Sequence, residues 1–218
     1  MAAANVLSLY SQRSNLEAST KIALTLSGTE FKFEASVADK RLFRFHLKIG
    51  LIDVAFPPGT VCNLLTNLSM RKMPDVSHLS LDVVHCDFPL SDPSFTQFML
   101  STPAIVELET DVDNLDPLLQ ILDGALKYSF RPLQQLEITY LGDDVAQIYS
   151  VKKFIHFIIN IGAPLSQLII RWVGFTTVDL TSLEDIIGLK VVIFTRKLGV
   201  KEYICGSGRV EELIIEDT

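Results

Sequence analysis

Three adjacent residues carry side chains capable of nucleophilic chemistry. His85, Cys86 and Asp87 are contiguous in the chain. A nucleophile and its base must lie within hydrogen-bond reach of each other. Because neighbouring side chains in an extended segment point to opposite faces, these three residues cannot form such a pair together. We therefore predict that this stretch belongs to a loop or to the core.

Two other segments resemble binding loops in part. The run 111-DVDNLD-116 begins like a calcium loop, but Leu115 occupies a ligand position and Asp116 stands where glycine is needed. The segment 206-GSGR-209 lacks the Lys-Ser/Thr and the following helix of a phosphate-binding loop, so it predicts a turn. We predict no catalytic residue, no metal ion and no cofactor.

Three isolated side chains could also have a role. His46 and His156 each lie in an apolar run, which favours a hydrogen-bonded structural imidazole over a ligand or base. Trp172 is the only tryptophan and could anchor a partner, but packing on the edge of the fold is the preferred interpretation.

The composition narrows the class of protein. The chain has 218 residues, 48% of them apolar, and a net charge of -7, which disfavours a nucleic-acid or anionic-membrane binder. Its three cysteines are far apart, as expected for thiols in a reducing compartment, so we predict a cytoplasmic or nuclear protein. The most apolar passage, residues 154–170, is interrupted by Asn160, Gly162 and Pro164, so no bilayer crossing is predicted.

The elements that must position any site form two unequal parts. From about residue 20 to residue 50, apolar residues alternate with polar ones, as in half-buried strands. Gly28 and Asp39 lie where turns are needed. The pattern predicts an antiparallel β-meander of three strands, which forms an N-terminal cap within residues 1–60.

From residue 74 the pattern changes to a repeat. Each of six segments has an apolar residue, two variable residues, Leu or Val, one variable residue and another residue that is apolar in all but one case. Their central residues are Leu79, Leu108, Leu136, Leu168, Val192 and Leu213. The spacing is close to the period of roughly 20–29 residues of leucine-rich repeats. We predict an α/β leucine-rich-repeat solenoid with parallel strands in residues 61–218, continuous with the cap.

Helix starts are predicted between the strands. Asp92-Pro93 and Asp116-Pro117 each place a capping carboxylate before a proline at the first helical position. Thr181 and Glu184 have the spacing of a capping box. Each strand is therefore expected to be followed by a helical or irregular return.

The layout resembles a known family. The segments 41-RLFRFHL-47, 78-HLSLDV-83, 104-AIVELETDVD-113 and 133-LQQLEI-138 look like the leucine-rich region of the F-box-type proteins of mushroom-forming (basidiomycete) fungi. In that family, an N-terminal F-box binds a cullin ubiquitin-ligase adaptor and the repeats bind a substrate. Residues 1–20 lack the Leu-Pro-rich opening of an F-box, so the resemblance covers roughly residues 20–218 and leaves the F-box out.

The outward positions of the predicted strands form a candidate binding surface. On adjacent strands about 4.8 Å apart, its carboxylates stand side by side at one end and its isoleucines form an apolar stripe at the other. We therefore expect a protein partner with basic and apolar groups. The predicted partner-binding residues are Asp82, Glu107, Glu109, Asp111, Glu137, Ile169, Arg171, Ile193 and Ile214.

The sequence thus favours a non-enzymatic protein–protein interaction module similar to the substrate-recognition repeats of an F-box protein. A cullin-ligase adaptor is an expected partner only if an F-box precedes the chain. Two alternatives stay open: an enzyme or small-ligand binder on the same scaffold, which needs a pocket with converging polar groups, and a gene-model fragment without independent function.

Overall fold

The central feature of the molecule is a nine-stranded sheet. The computed structural model describes residues 2–38, 40–49, 55–84, 90–122, 124–141, 145–172, 178–195 and 199–215. The strands of this sheet lie in the order β10-β9-β7-β6-β5-β4-β1-β2-β3. They are β1 Lys21–Ser27, β2 Glu30–Val37, β3 Lys40–Lys48, β4 His78–Val84, β5 Glu107–Thr110, β6 Gln135–Leu141, β7 Gln167–Trp172, β9 Lys190–Thr195 and β10 Gly199–Ile204.

The first three strands form the predicted antiparallel meander. Strand β2 pairs antiparallel with both β1 and β3, and Leu24 lies opposite Phe33. The alternation of apolar and polar residues fixes which face each side chain takes, because side chains in a strand have a period of two. The meander joins the rest of the sheet directly, since β1 pairs in parallel with β4 and Leu24 lies beside Leu81.

The middle of the sheet is parallel and in register. Strands β4, β5, β6 and β7 pair in sequence, so that Leu79, Leu108, Leu136 and Leu168 lie side by side. All four leucines are buried, as the repeat pattern predicted. The molecule is therefore a mixed α/β protein with a mostly parallel central sheet, flanked by antiparallel strands at both edges.

The helices and the sheet enclose one hydrophobic core. Strand burial alternates residue by residue, and the inward side chains join those of the helices in a continuous cluster. For example, Phe33 of β2 meets Phe98 of a helix with ring centroids 6.3 Å apart. The described helices are α1 Ala2–Arg13, α2 Thr60–Ser69, α3 Pro93–Leu100, α4 Leu115–Leu122 and α5 Val145–Asn160.

Thr110 is the one polar residue at an inward position of the predicted repeats. Its hydroxyl donates a hydrogen bond of 2.9 Å to the carbonyl of Leu81 and accepts one of 3.3 Å from the side-chain amide of Asn114. A buried hydroxyl without a partner costs free energy. These two bonds explain why a threonine is compatible with the core here.

The predicted helix starts have different outcomes. Asp92 caps α3, because its carboxylate accepts a 2.8 Å hydrogen bond from the backbone N–H of Ser94. The prediction at Asp116 is wrong, since α4 already begins at Leu115 and the carboxylate instead contacts α5. The capping box at Thr181 is also wrong, because Thr181–Leu183 is a single 3₁₀ turn.

The two last predicted repeats depart from the pattern. Strand β9 pairs with β7 one residue out of the predicted register, so Val191, and not Val192, lies beside Leu168. The segment Val210–Leu213 is a 3₁₀ turn, followed by the short strand β11 Ile214–Ile215. Strand β11 pairs antiparallel with β8 Val178–Asp179 in a separate small sheet.

Candidate functional site

The face of the sheet opposite the helices forms the candidate site. We call it the open face and define it by the outward residues of the paired strands. Because the strands are parallel and in register, these residues form rows across the sheet. The central row contains Ser80, Glu109, Glu137, Ile169 and Val192.

His78 joins two glutamates at the charged end of the open face. Its Nδ1 lies 2.8 Å from the carboxylate of Glu107, and its Nε2 lies 3.5 Å from that of Glu109. The contact with Glu109 raises the pKa of His78; burial opposes the rise and the hydrogen bond to Glu107 adds to it. The same contact with His78 holds the pKa of Glu109 below its usual value, against burial and with help from Lys21.

Glu137 is neutralised by a cation from the next strand. The carboxylate is almost fully buried and bonds to the guanidinium of Arg171. That guanidinium also lies 5.2 Å from the ring centroid of Phe194 on β9, within cation–π range. Glu109 and Glu137 do lie on adjacent strands as predicted, but each has its own positive partner.

A second pair of carboxylates lies at the carboxyl ends of the strands. Burial raises the pKa of Asp82, and the nearby carboxylates of Asp111 and Glu30 raise it further. The hydroxyl of Thr139 donates a hydrogen bond to Asp111. The charged form of Asp82 is thus disfavoured by its surroundings, although the nearby Lys32 opposes the rise of its pKa.

The other end of the open face is mainly apolar. Ile169 is half-buried, Val192 is buried, and Phe194 is half-buried beside Arg171. On the edge strand β10, Val200 and Ile204 pair with outward residues of β9 and are 55% and 57% exposed. Between these apolar residues, Lys190 of β9 and Glu202 of β10 form an ion pair of 2.9 Å, so this end combines exposed apolar side chains with one neutralised charge pair.

Two residues predicted for this surface lie elsewhere. Ile193 lies beside Ile170 on the helix side and is only 2% exposed, so it belongs to the core. Ile214 is on β11, in the small sheet with β8, and so is not part of the rows. Val192 takes the place in the central row that was predicted for Ile193.

The remaining candidates for chemistry find little support. His85, Cys86 and Asp87 lie outside the described residues, and so does the side chain of Trp172. His46 lies at the surface and is bonded to Glu30 at 2.9 Å, in keeping with a hydrogen-bonded structural imidazole, whereas His156 is exposed on α5. In the part of the chain that the structure describes, no three His, Cys, Asp or Glu residues could hold a metal ion.

The two cysteines within the described residues are free thiols. Burial raises the pKa of Cys205 to about 11. Burial also raises the pKa of Cys62, and the adjacent carboxylate of Asp92 contributes to the rise. A nucleophilic cysteine needs a lowered pKa, so neither thiol has the environment of a catalytic one.

Known proteins give no match to this chain. No protein-family model matches it, and neither a curated protein nor a solved structure is significantly similar. Within the described residues, no helix has the length and apolar character needed to cross a bilayer.

Proposed function

We propose that this chain is a non-enzymatic protein-recognition module, built as a short leucine-rich-repeat solenoid, that binds a partner protein across its open face. The observation that carries the proposal is the registered rows of outward side chains on β4, β5, β6 and β7. Such rows present a continuous surface whose chemistry changes along its length. Repeat proteins use surfaces of this kind to bind partners.

The charged end suits a partner with basic groups. The side chain of Glu107 is 45% exposed even though it bonds to His78, so one of its oxygens can accept a hydrogen bond from a Lys or Arg of the partner. A cation from the partner placed near Asp82 and Asp111 relieves their mutual repulsion. The partner's charge therefore contributes to orientation as well as to affinity.

The apolar end supplies the apolar surface that is removed from water when the partner binds. Val200 and Ile204 are more than half exposed and lie beside the outward residues of β9. Burying apolar surface contributes about 25 cal/mol per Å². An apolar side chain of the partner placed here anchors it, while the polar rows set its position.

The resemblance to the repeats of F-box-type proteins supplies a role for the partner. On that reading, the protein bound at the open face is the substrate of a cytoplasmic or nuclear ubiquitin ligase. A cullin-ligase adaptor then binds only through an F-box upstream of the repeats. Reading the genomic DNA upstream of Met1 for an in-frame F-box tests this assignment independently of the open face.

The proposed function is tested with a variant that changes the apolar end alone. The double substitution Val200→Asp/Ile204→Asp places two charges on exposed positions, so the fold is expected to be retained. Wild-type and variant chains are used to capture proteins from native cell extract, and the retained proteins are measured by quantitative mass spectrometry. We expect proteins held by the wild type to be lost from the variant and to bind the purified wild-type chain directly.

A matched control uses an exposed apolar residue on the helix side of the sheet. Leu100 is 48% exposed at the end of α3, so Leu100→Asp should retain the same proteins as the wild type. Circular dichroism of all three chains checks the fold. If the wild type, the control and the open-face variant retain the same proteins, the open face is not a binding surface.

A further inference from the structure

The helix side of the molecule carries two depressions that meet at Asn160, the last residue of α5. Each has a volume of about 350 Å³. We call them together the basic groove. One depression runs along α5 and is lined by Tyr149, Lys152, Lys153, His156, Phe157 and Asn160.

The second depression continues from the end of α5. It is lined by Lys127, Tyr128, Arg131, Ile161 and again Asn160. Neither depression has an Asp or Glu among its lining residues, and the sequence of α5 contains none. In a chain of net charge -7, a surface lined by four Lys or Arg side chains and no carboxylate stands apart from its surroundings.

The four cations differ in how far they are neutralised. Lys152 lies 2.8 Å from Asp185, and Lys153 lies 2.9 Å from Asp116. Lys127 and Arg131 form no ion pair with any other described residue. Among the described residues, the positive charge of the basic groove that no carboxylate pairs with is therefore at its Lys127 and Arg131 end.

Exposed aromatic rings accompany these cations. Tyr128 is 65% exposed and lies beneath the ammonium group of Lys127, which is 5.2 Å from the ring centroid. Tyr149, at the other end of the groove, is 67% exposed, and Phe157 lines the same depression along α5. Tyrosine and arginine are the side chains that protein-binding surfaces use most as anchors.

We propose that the basic groove binds an acidic segment of a partner protein in an extended conformation. Its carboxylates pair with Lys127 and Arg131, and an apolar side chain packs between Tyr149 and Phe157. From Tyr149 to Asn160 a helix rises about 16 Å, which about five extended residues can span. The groove is on the opposite side of the sheet from the open face, so this inference stands apart from the proposed function.

The same chemistry makes a nucleic acid the weaker candidate. Affinity for nucleic acid is built from many phosphate contacts, commonly six to ten in a specific complex. Two uncompensated cations on an acidic chain supply far fewer. A short acidic peptide needs only these two pairs and the apolar contact.

The proposal is tested by fluorescence anisotropy with labelled probes of defined composition. The first probe is a peptide of about ten residues, rich in Glu and carrying one Leu; the second has Gln in place of Glu; the third is a single-stranded oligothymidine. The chains compared are the wild type, Lys127→Glu/Arg131→Glu, and Arg13→Glu/Lys40→Glu. The last double variant has the same net charge but changes basic residues on α1 and β3.

We expect the wild type to bind the Glu peptide at least about tenfold more tightly than the Gln peptide, in a manner weakened by salt. Lys127→Glu/Arg131→Glu should lower the affinity by about tenfold or more, whereas the charge-matched control and Val200→Asp/Ile204→Asp should change it by less than about twofold. Equal binding of the Glu and Gln peptides overturns the proposal. The proposal is also overturned if the oligothymidine binds more tightly than the Glu peptide. The same holds if either control variant loses as much affinity for the Glu peptide as Lys127→Glu/Arg131→Glu does.

Discussion

At the scale of single residues, the glutamates of the open face are paired with basic side chains from an adjacent strand. His78 lies between Glu107 and Glu109, and Arg171 neutralises Glu137. Like charges on adjacent strands destabilise a sheet by a few tenths of a kcal/mol, and these partners offset that cost. Counting the carboxylates in the sequence revealed the rows, but the cations that compensate them lie in other segments of the chain.

His78 gives the stability of the protein a dependence on pH. Because the folded state raises the pKa of His78 above its ordinary 6.5, the protonated imidazole stabilises the fold. That contribution is complete below pH 6.5 and is lost as the pH rises through the raised pKa of His78 in the folded state. The lowered pKa of Glu109 has the opposite pH dependence. Its contribution to stability is present above pH 4.5 and is lost as the pH falls through the lowered pKa of Glu109 in the folded state.

We therefore expect the wild type to lose part of its free energy of unfolding as the pH rises above 6.5, and His78→Gln to lose less. Urea denaturation between pH 5.5 and 8.5 measures both chains. Lys40→Gln, an exposed change on β3, should follow the wild type. Parallel curves for the wild type and His78→Gln show that His78 is not coupled to the glutamates.

At the scale of elements, the parallel strands differ in how well the sequence specifies them. Strands β4, β5 and β6 alternate inward apolar residues with mainly polar outward ones, so only one register buries the correct face. Strand β9 contains Val191, Val192, Ile193 and Phe194 in succession, and such a run fits either register. Pairing with β7 on one side and β10 on the other decides it.

The register of β9 is tested by truncating Ile193, which was predicted to face outward but lies in the core. Ile193 is 2% exposed, so Ile193→Ala should lower the free energy of unfolding by about 2–5 kcal/mol, as expected for a cavity in a packed core. Val200→Ala, at a 55% exposed position on the next strand, should cost less than about 0.5 kcal/mol. Chemical denaturation measures both, and similar small losses contradict the observed register.

At the scale of the whole molecule, the meander and the parallel strands share one core. Strand β1 pairs with β4 along its entire length, and Phe33 of β2 contacts Phe98 of α3. Residues 1–60 were predicted to be a cap continuous with the repeats in residues 61–218. A cap of this kind covers an edge that is otherwise open to further pairing, which is why terminal units of repeat arrays are specialised.

A shared core implies that the cap and the parallel strands unfold together. In native-state hydrogen exchange with increasing urea, the most protected amides of β1 and β2 should open with the same free energy as those of β6 and β7. Mass spectrometry of peptides from these strands measures both values. A clearly lower opening free energy for β1 and β2 shows that the meander is a separate unit.

The sequence by itself determined the elements whose patterns have a single consistent solution. Alternation between Ile22 and Leu47 specified the meander, and the repeat spacing placed Leu79, Leu108, Leu136 and Leu168 side by side. In these segments each apolar residue can be buried in only one register, so local pattern and global fold agree.

Only the tertiary structure decided what depends on contacts between distant segments. The helix at Ala2–Arg13 and the edge strand β10 had no recognised signal, and the face taken by Ile193 and Ile214 followed from which strands became neighbours. The pairing of His78 with Glu107, and the position of Lys127 and Asn160 on one depression, likewise required the chain to fold. Periodicity specifies which side of an element is buried, but the identity of the neighbour is set by packing of the whole core.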